Sequence, residues 1–356
     1  MPGTKSMKTA ETKAKPAVGR RLTQRRKGVT LADVARVADV SEITVSRILR
    51  NQGPIAEATR QRVLEAVRSV GYVPNRLAGG LASSGSKLVG VVVPSLTNIV
   101  FPEVLEGIQS ALAGTGFQAV IGVSNYDLGL EAELIASLLA WRPEAMVIAG
   151  LEHTPAARSM LEGSGVRVAE IMEIDSEPID LAVGHSHRQA GFDTGRYLLD
   201  KGYRRFGYIG HDWAADRRAK LRHDGVVAAL GEQGLRLVGS AIHDGPSSTA
   251  AGRDCLASLL LAHSDLDVVV FSNDDMATGG VFHCLSAGIV PKADLALFGF
   301  NGLDIGQALP TPLSTMRSNR FLTGKTAIER LLAQRDRPAH FEIIDTGYQI
   351  LPGATA

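Results

Sequence analysis

The sequence predicts an α/β protein in which a small three-helix unit precedes two similar lobes, each a doubly wound parallel sheet covered by helices. Apolar residues first recur with helical spacing, from residue 28 to about 71. From about 88 onward, short β-branched runs alternate with helical stretches, which is the pattern of parallel sheets. That alternation continues for too long to fit one compact sheet, so two lobes are expected.

The first helical segment carries its own start signal. Thr30 is a suitable N-cap, and Asp33 stands three residues later as a variant of the capping box. The apolar residues that follow have the i, i+3, i+4, i+7 spacing of one helix: Leu31, Val34, Ala35 and Ala38. After a turn at 38–41, Ser41 can cap a second helix, whose buried stripe is Val45, Ile48 and Leu49.

A third helix is predicted from about Thr59, with Gly71 as its C-terminal stop. Its apolar face consists of Val63, Ala66, Val67 and Val70. Three helices of this size form one minimal core. The first two and the tight turn between them fit a helix-turn-helix, whose second helix lies in the major groove of DNA.

The outward face of the second helix suits contact with base edges. Arg47 can make a bidentate contact to guanine or grip a phosphate, and Ile43 can meet a thymine methyl. We therefore predict that DNA is contacted by Thr30, Leu31, Ser41, Glu42, Ile43, Thr44, Ser46, Arg47 and Arg50. The alternative is a helical protein-docking module with a solvated polar face.

Charge is distributed unevenly along the chain. Residues 1–87 hold 17 Lys and Arg against 6 Asp and Glu, a balance of +11, whereas the remainder has a balance of −10. Such asymmetry indicates that one part meets a polyanion. Residues 1–27 are expected to form a disordered basic arm, although they could be only a solvated tail.

The composition bounds the class of protein. The longest apolar runs, at 87–94 and 266–271, are far too short to span a membrane, and no secretory signal is seen. Two cysteines, Cys255 and Cys284, in 356 residues argue for a reducing compartment, and the cytoplasm is the expected location. No cofactor or metal is predicted, because the pair His185 and His187 lacks a third ligand at suitable spacing.

The predicted boundaries follow these changes of pattern. A helix-turn-helix domain covers 28–73, a hinge covers 74–87, and an α/β domain covers 88–356. Within it, lobe 1 is expected at about 88–186 and 318–341, and lobe 2 at about 187–317 and 342–356. The chain is thus expected to cross between the lobes near 186, around 317–320 and near 341.

These segments resemble the LacI/GalR family of bacterial transcription regulators. "VTLADVARVADVSEITVSRIL" at 29–49 is similar to the family signature over its whole length, and "ATRQRVLEAVRSVGYVPNRLAGGLAS" is similar to its third helix and hinge. The resemblance, over about 28–356, implies a periplasmic-binding-protein-like domain that binds a small effector. It implies a cytoplasmic homodimeric regulator that acts as a repressor, whose partners are double-stranded operator DNA and a sugar or sugar acid.

The resemblance also assigns roles to the hinge. Family hinges fold as a pair on DNA and insert a leucine into the minor groove, which by position is Leu81 here, with Asn75 and Arg76 as further DNA contacts. Gly79 and Gly80 depart from the bulkier residues common in the family and cost roughly 2 kcal/mol relative to alanines in a helix. A plain flexible linker is the alternative.

Effector contacts are expected where polar residues follow predicted strands, at the cleft between the lobes. The candidates are Ser95, Asn98, Phe101, Glu152, His153, Arg222, Asn273, Asp274 and Asn301. Arg222 occupies the place of the family's effector-binding arginine, three residues before a helix glycine. Asn301 stands where the family's sugar binders commonly have Asp, and the lost negative charge favours an anionic ligand.

The segments 93–108 and 124–154 resemble the gluconate-type subgroup of the family, which implies gluconate or a related aldonate as effector. Three other functions remain open. The chain could be a sugar-binding receptor without a DNA function, or a DNA-binding regulator that responds to a partner protein. A sugar-metabolising enzyme with an appended DNA-binding unit is the weakest alternative, because no catalytic constellation is seen.

Overall fold

The computed structural model of the chain describes residues 29–50, 52–73, 86–214, 216–334 and 336–356. The chain divides into two compact units, Met1–Leu81 and Ala82–Ala356. The predicted basic arm at 1–27 and most of the predicted hinge, including Asn75, Arg76 and Leu81, lie outside the described residues.

The N-terminal unit contains the three predicted helices: α1 (Leu31–Ala38), α2 (Glu42–Leu49) and α3 (Glu57–Val70). The predicted capping box is confirmed, because Thr30 Oγ1 accepts from the Asp33 backbone and Asp33 reaches back to the Thr30 backbone. Ser41 caps α2, and Gly71 ends α3 with a φ of 68° in the left-handed region that glycine favours. The fully buried residues all belong to the predicted apolar faces: Val34, Ala35, Ala38, Val45, Ile48, Val63 and Ala66. The other predicted members are only partly buried and pack against this core: Leu31, Leu49, Val67 and Val70.

Lobe 1 is built on a six-stranded parallel sheet with the strand order β11-β5-β4-β3-β1-β2. Its strands are β1 (Leu88–Val93), β2 (Gln118–Val123), β3 (Ala145–Ala149), β4 (Arg167–Ile171), β5 (Leu181–Gly184) and β11 (Glu342–Asp345). Its helices are α4 (Val100–Leu112), α5 (Leu128–Leu139), α6 (Pro155–Gly163) and α12 (Arg320–Ala333). The inner strands are apolar on both faces, because helices cover both sides of the sheet.

Lobe 2 has a four-stranded parallel sheet with the order β7-β6-β8-β9, and an antiparallel pair of β10 and β12. The strands are β6 (Phe206–His211), β7 (Gly239–His243), β8 (Val268–Phe271), β9 (Ala296–Phe298), β10 (Thr315–Ser318) and β12 (Tyr348–Leu351). The helices are α7 (His187–Asp200), α8 (Arg217–Glu232), α9 (Thr249–Ala262), α10 (Asp274–Ala287) and α11 (Asp304–Gln307). The predicted pair of doubly wound lobes is therefore present.

The chain crosses between the lobes between β5 and α7, between β10 and α12, and between β11 and β12. The third crossing corrects the prediction, which assigned 342–345 to lobe 2. β11 instead pairs in parallel with β5 in lobe 1, with Glu342 opposite Leu181. This strand is a short edge strand with a charged residue at each end, so its sequence lacks the apolar run that identified its neighbours.

The helix pairs of both lobes pack closely through small residues. In lobe 1, a Cβ added to Gly324 of α12 would stand 2.0 Å from the Val104 carbonyl oxygen of α4. In lobe 2, a Cβ on Gly191 of α7 would stand 2.0 Å from the Arg222 carbonyl oxygen of α8. Real Cβ atoms do not approach backbone so closely, so glycine is required at both contacts. Among the described residues, no helix is long and apolar enough to cross a membrane.

Candidate functional site

A cavity of about 390 Å³, called here the large cavity, lies between the two lobes. Its volume is within the range of small-molecule sites. The lobe 1 wall follows the carboxyl ends of β1 and β2 and consists of Ser95, Thr97, Asn98, Asn125 and Tyr126. The lobe 2 wall consists of His211, Asp212, Asp216, Gly245, Pro246, Ser247 and Asp275. Ligands of open α/β sheets bind at such strand ends.

A small cavity of about 70 Å³ adjoins the large one, since Tyr126 and Asp216 line both. It too has walls from both lobes. Its charged lining residues are Glu131, Glu152, Glu173, Asp216, Arg217 and Arg218. Together the two cavities form the cleft.

Two of the predicted effector residues, Ser95 and Asn98, line the large cavity side by side. Ser95 Oγ accepts the backbone N–H of Asn98 at 3.0 Å, and Asn98 Nδ2 donates to the Tyr126 hydroxyl at 2.9 Å. Phe101, the second residue of α4, lies in the lobe 1 core and lines neither cavity. Its ring centroid lies 5.7 Å from the guanidinium carbon of Arg218, a contact between the lobes.

Glu152 lines the small cavity, as the sequence suggested, whereas the His153 side chain is buried behind it. His153 Nδ1 lies 2.6 Å from Glu131 Oε1, and Nε2 lies 3.1 Å from Glu170 Oε1. Burial lowers the pKa of His153, but the two carboxylates outweigh it and raise the pKa to about 9. His153 is therefore an imidazolium held between two glutamates, without direct access to the cleft.

Arg222 is buried; it lines neither the large nor the small cavity, but a third cavity of about 10 Å³ inside lobe 2. Its guanidinium carbon stacks 4.2 Å from the Phe300 ring centroid, and Nη2 donates to the Ser272 carbonyl at 2.8 Å. Nη1 lies 3.0 Å from His187 Nδ1, while His187 Nε2 donates to the Met172 carbonyl at 2.8 Å. These partners require His187 to be neutral, and burial, together with the charges nearby, holds its pKa well below the ordinary value.

The remaining predicted residues lie at the lobe 2 strand ends. Asn273 caps α10, with its Oδ1 accepting the Met276 backbone N–H at 3.1 Å. Asp274 is fully buried and bonds to Thr315 Oγ1 at 2.6 Å and the Leu303 N–H at 2.7 Å; burial raises its pKa to about 6. Asn301 has a φ of 122° and its carbonyl accepts from Arg320. None of the three lines the large or the small cavity.

The cations of the cleft come from the start of α8. Arg217 reaches across to lobe 1, where Nη1 lies 3.1 Å from Glu173 Oε1 and Nη2 donates to Ser176 Oγ at 3.1 Å. Arg218 is paired with Asp216 at 3.5 Å. Burial favours the neutral form of Asp216, but the hydrogen bond to His211 and the charge of Arg218 outweigh it and hold its pKa well below the ordinary value.

Carboxylates outnumber cations along both cavities. The acids are Glu131, Glu152, Glu173, Asp212, Asp216 and Asp275, against Arg217 and Arg218. Such a lining offers many acceptors for ligand hydroxyl groups and two cations for a ligand carboxylate. Within the described parts of the chain, no group of three or more His, Cys, Asp or Glu side chains could hold a metal ion.

The predicted DNA-contacting residues lie on one unit and are mostly exposed. Thr30, Ser41, Glu42, Arg47 and Arg50 are exposed, and Ile43 is 70% exposed although it is apolar. The partly buried members of the set are Leu31, Thr44 and Ser46. Thr44 Oγ1 shares a hydrogen bond of 2.9 Å with Ser41 Oγ. The exposed face of α2 thus combines a cation, hydroxyl groups and one apolar side chain.

Two family models match this chain. Residues 30–75 match the model described as bacterial regulatory proteins of the lacI family, and residues 86–348 match periplasmic binding proteins and the sugar binding domain of the LacI family. The second match alone covers more than half of the chain. The chain belongs to the LacI family. This LacI-family chain is a DNA-binding transcriptional regulator, and its relatives are named as regulators rather than enzymes.

Full-length relatives of this LacI-family regulator are known. It is 37% identical to the HTH-type transcriptional regulator GntR of Pseudomonas aeruginosa, over 90% of this chain and 94% of the relative. GntR of Escherichia coli is 32% identical, over 93% and 99% of the two chains. A crystal structure of a LacI-family regulator from Silicibacter pomeroyi is 42% identical with a TM-score of 0.87, covering 92% of this chain and 99% of that one.

Several cleft residues of this LacI-family regulator were not predicted from the sequence. Tyr126 and Asp216 follow β2 and β6, so the same strand-end reasoning could have found them. Glu131, Arg217, Arg218 and Asp275 lie inside helices, in the first turns that face the cleft. The sequence offered one signal for them: in these α/β lobes the first turn of each helix begins beside the carboxyl ends of the strands, so polar residues in that turn lie near the cleft.

Proposed function

We propose that this regulator is a homodimeric repressor whose hold on operator DNA is controlled by a sugar acid bound in the cleft, with gluconate or a related aldonate as the effector. The two N-terminal units of the dimer would each read one half-site of a near-palindrome. The cleft supports the proposal, because a cavity of about 390 Å³ lined by hydroxyl, amide and carboxylate groups suits a six-carbon polyhydroxylated ligand.

The carboxylate of such a ligand would be received by Arg217 and Arg218, the two arginines that line the cleft. The sequence favoured Arg222 for this role, but that side chain is enclosed between Phe300, His187 and the Ser272 carbonyl. The overall similarity to GntR regulators of two organisms supports a ligand of the kind used by the subgroup that the sequence resembles.

A neutral sugar is the second candidate effector. The excess of carboxylates along the cleft favours it, because these groups repel an anionic ligand and accept hydrogen bonds from hydroxyl groups. The replacement of the family aspartate by Asn301 favoured the anionic ligand, but Asn301 lines neither cavity.

Control of DNA binding requires that the ligand bind two conformations with different affinity. The cleft has this property, because its walls come from both lobes and a ligand that contacts Asn98 and Asp275 together favours the closed arrangement. The closed arrangement also includes the contacts that Arg217 of lobe 2 makes with Glu173 and Ser176 of lobe 1. A change in the lobes would then alter how the two DNA-reading units of the dimer are held.

Isothermal titration calorimetry of the purified full chain distinguishes the two candidate effectors. We expect gluconate to bind at least tenfold more tightly than glucose or galactose, because only the aldonate supplies a carboxylate for Arg217 and Arg218. Replacing Arg218 by glutamine should remove most of this preference. Tight binding of neutral hexoses with no binding of aldonates would contradict the sugar-acid proposal and support the neutral sugar.

A further inference from the structure

Three hydrogen-bonded side chains, Glu170, His153 and Glu131, form a buried triad that runs through lobe 1 and ends at the small cavity. Glu170 of β4 is fully buried, and its Oε2 accepts the backbone N–H of Ile179 at 2.5 Å. Its other oxygen meets His153, which in turn meets Glu131 Oε1. Every hydrogen-bonding atom of His153 is thus occupied, and its ring cannot turn without losing a charge-assisted hydrogen bond.

Glu131 is the member of this triad that faces the cleft. Its side chain is only 6% exposed and yet lines the small cavity with Arg217 and Arg218. Within the described parts of the chain, its second oxygen, Oε2, accepts no hydrogen bond. Oε2 is not enclosed by protein atoms but open to the small cavity, so it is free to accept a hydrogen bond from a ligand there.

We propose that Glu131 is a hydroxyl acceptor of the effector site, and that His153 and Glu170 are positioning residues that keep its carboxylate fixed and ionised. This inference rests on the proposed function, because it takes the cleft to be the effector site. It names the chemistry that this part of the cleft selects, which is a hydroxyl group carried by the same ligand whose carboxylate Arg217 and Arg218 receive.

The local charges favour a hydroxyl group over the other possible donors. The His153 imidazolium already compensates one of the two glutamates, and Arg217 and Arg218 stand along the same cavity. A ligand ammonium would therefore meet two arginines, and a second ligand carboxylate would meet Glu131 itself. A hydroxyl group can donate to Glu131 without a charge conflict.

A double-mutant cycle tests the proposal, with the Glu131 carboxylate removed from the protein and single hydroxyl groups removed from the ligand. Calorimetry is carried out with gluconate and with monodeoxy gluconates, each lacking one hydroxyl, on the wild-type chain and on E131Q. We expect E131Q to bind gluconate about tenfold or more weakly than the wild type does. Removing one particular hydroxyl from gluconate should weaken binding to the wild type by a similar factor, and should weaken binding to E131Q much less. E133Q, an exposed glutamate two residues away on the same helix, is the matched control and should behave as wild type.

The positioning role has a separate readout. In E170Q, Glu131 is retained but His153 loses one of its two carboxylate partners, so the pKa of His153 should fall. Because a charged His153 is proposed to hold the Glu131 carboxylate, the pH above which gluconate affinity declines should move to lower values than in the wild type. A purely structural role of Glu170 would leave that pH profile unmoved. Thermal unfolding of each variant verifies that it is folded.

The outcomes separate this inference from the proposed function. If E131Q binds gluconate and every deoxy analogue with the wild-type pattern, Glu131 accepts no ligand hydroxyl and the inference is overturned, while the effector site stands. If the wild type binds hexoses but no aldonate, the sugar-acid effector is wrong, and the inference, which places the hydroxyl on a ligand with a carboxylate, is overturned with it. If the wild type binds neither aldonates nor sugars, the proposed function fails and this inference fails with it.

Discussion

Replacing Arg47 by alanine is expected to weaken specific operator binding by a factor on the order of a hundred, because one bidentate contact to guanine is worth about 1–3 kcal/mol and the proposed homodimer would lose two of them. Arg47 is exposed on α2, on the face opposite the buried Val45 and Ile48. Fluorescence anisotropy with labelled operator DNA measures the loss, and a random duplex measures non-specific binding in the same buffer.

The matched control is Arg68→Ala, which removes another exposed arginine, from the last turn of α3. Because Arg68 lies outside the helix that is predicted to read bases, its loss should lower only the general attraction to DNA phosphates, slightly and by the same factor for the operator and the random duplex. A substitution at Arg47 that lowers binding to the operator and the random duplex by the same factor would show that this residue does not read bases.

Replacing His153 by alanine is expected to lower the free energy of unfolding by about 3–5 kcal/mol, because it leaves two buried carboxylates without the cation that they share. Chemical denaturation monitored by circular dichroism measures the change. The exposed His340 provides the control substitution, for which little effect is expected. Adding Glu170→Gln to His153→Ala should recover part of the loss, since it removes one of the stranded charges.

The stabilisation by His153 should also depend on pH in a definite direction. Its folded pKa of about 9 lies above the ordinary value of 6.5, so the contribution is complete below pH 6.5 and is lost as the pH rises through about 9. The difference in unfolding free energy between the wild type and His153→Ala should therefore shrink over this range, by roughly 1.4 kcal/mol per pH unit. A difference that grows with pH would contradict an imidazolium at this position.

The helix-turn-helix unit could be predicted almost completely, because its determinants are local. Thr30, Ser41 and Gly71 act on the helix to which each is attached, and the apolar spacing alone identifies the core. The lobes were predictable for a similar reason, since their strands read as apolar runs. The edge strand β11 was misplaced, because its pairing with β5 is a tertiary contact without a local signal.

The cleft could be predicted only in outline. Ser95, Asn98 and Glu152 line it because strand ends share one edge of a sheet. The surroundings of Arg222 were beyond the sequence, because the Phe300 ring that covers it comes from a distant strand end. Glu131 gave no signal either, since the histidine that fixes it lies 22 residues along the chain.

The most direct test is an operator titration of the full chain with and without saturating gluconate, in parallel with calorimetry on the same preparation. Ligand in the cleft is expected to reduce operator affinity by about 5–150-fold, the usual range for coupled sites. Because coupling is reciprocal, operator DNA should weaken gluconate binding by the same factor. Operator affinity that stays unchanged while gluconate demonstrably occupies the cleft would contradict the account.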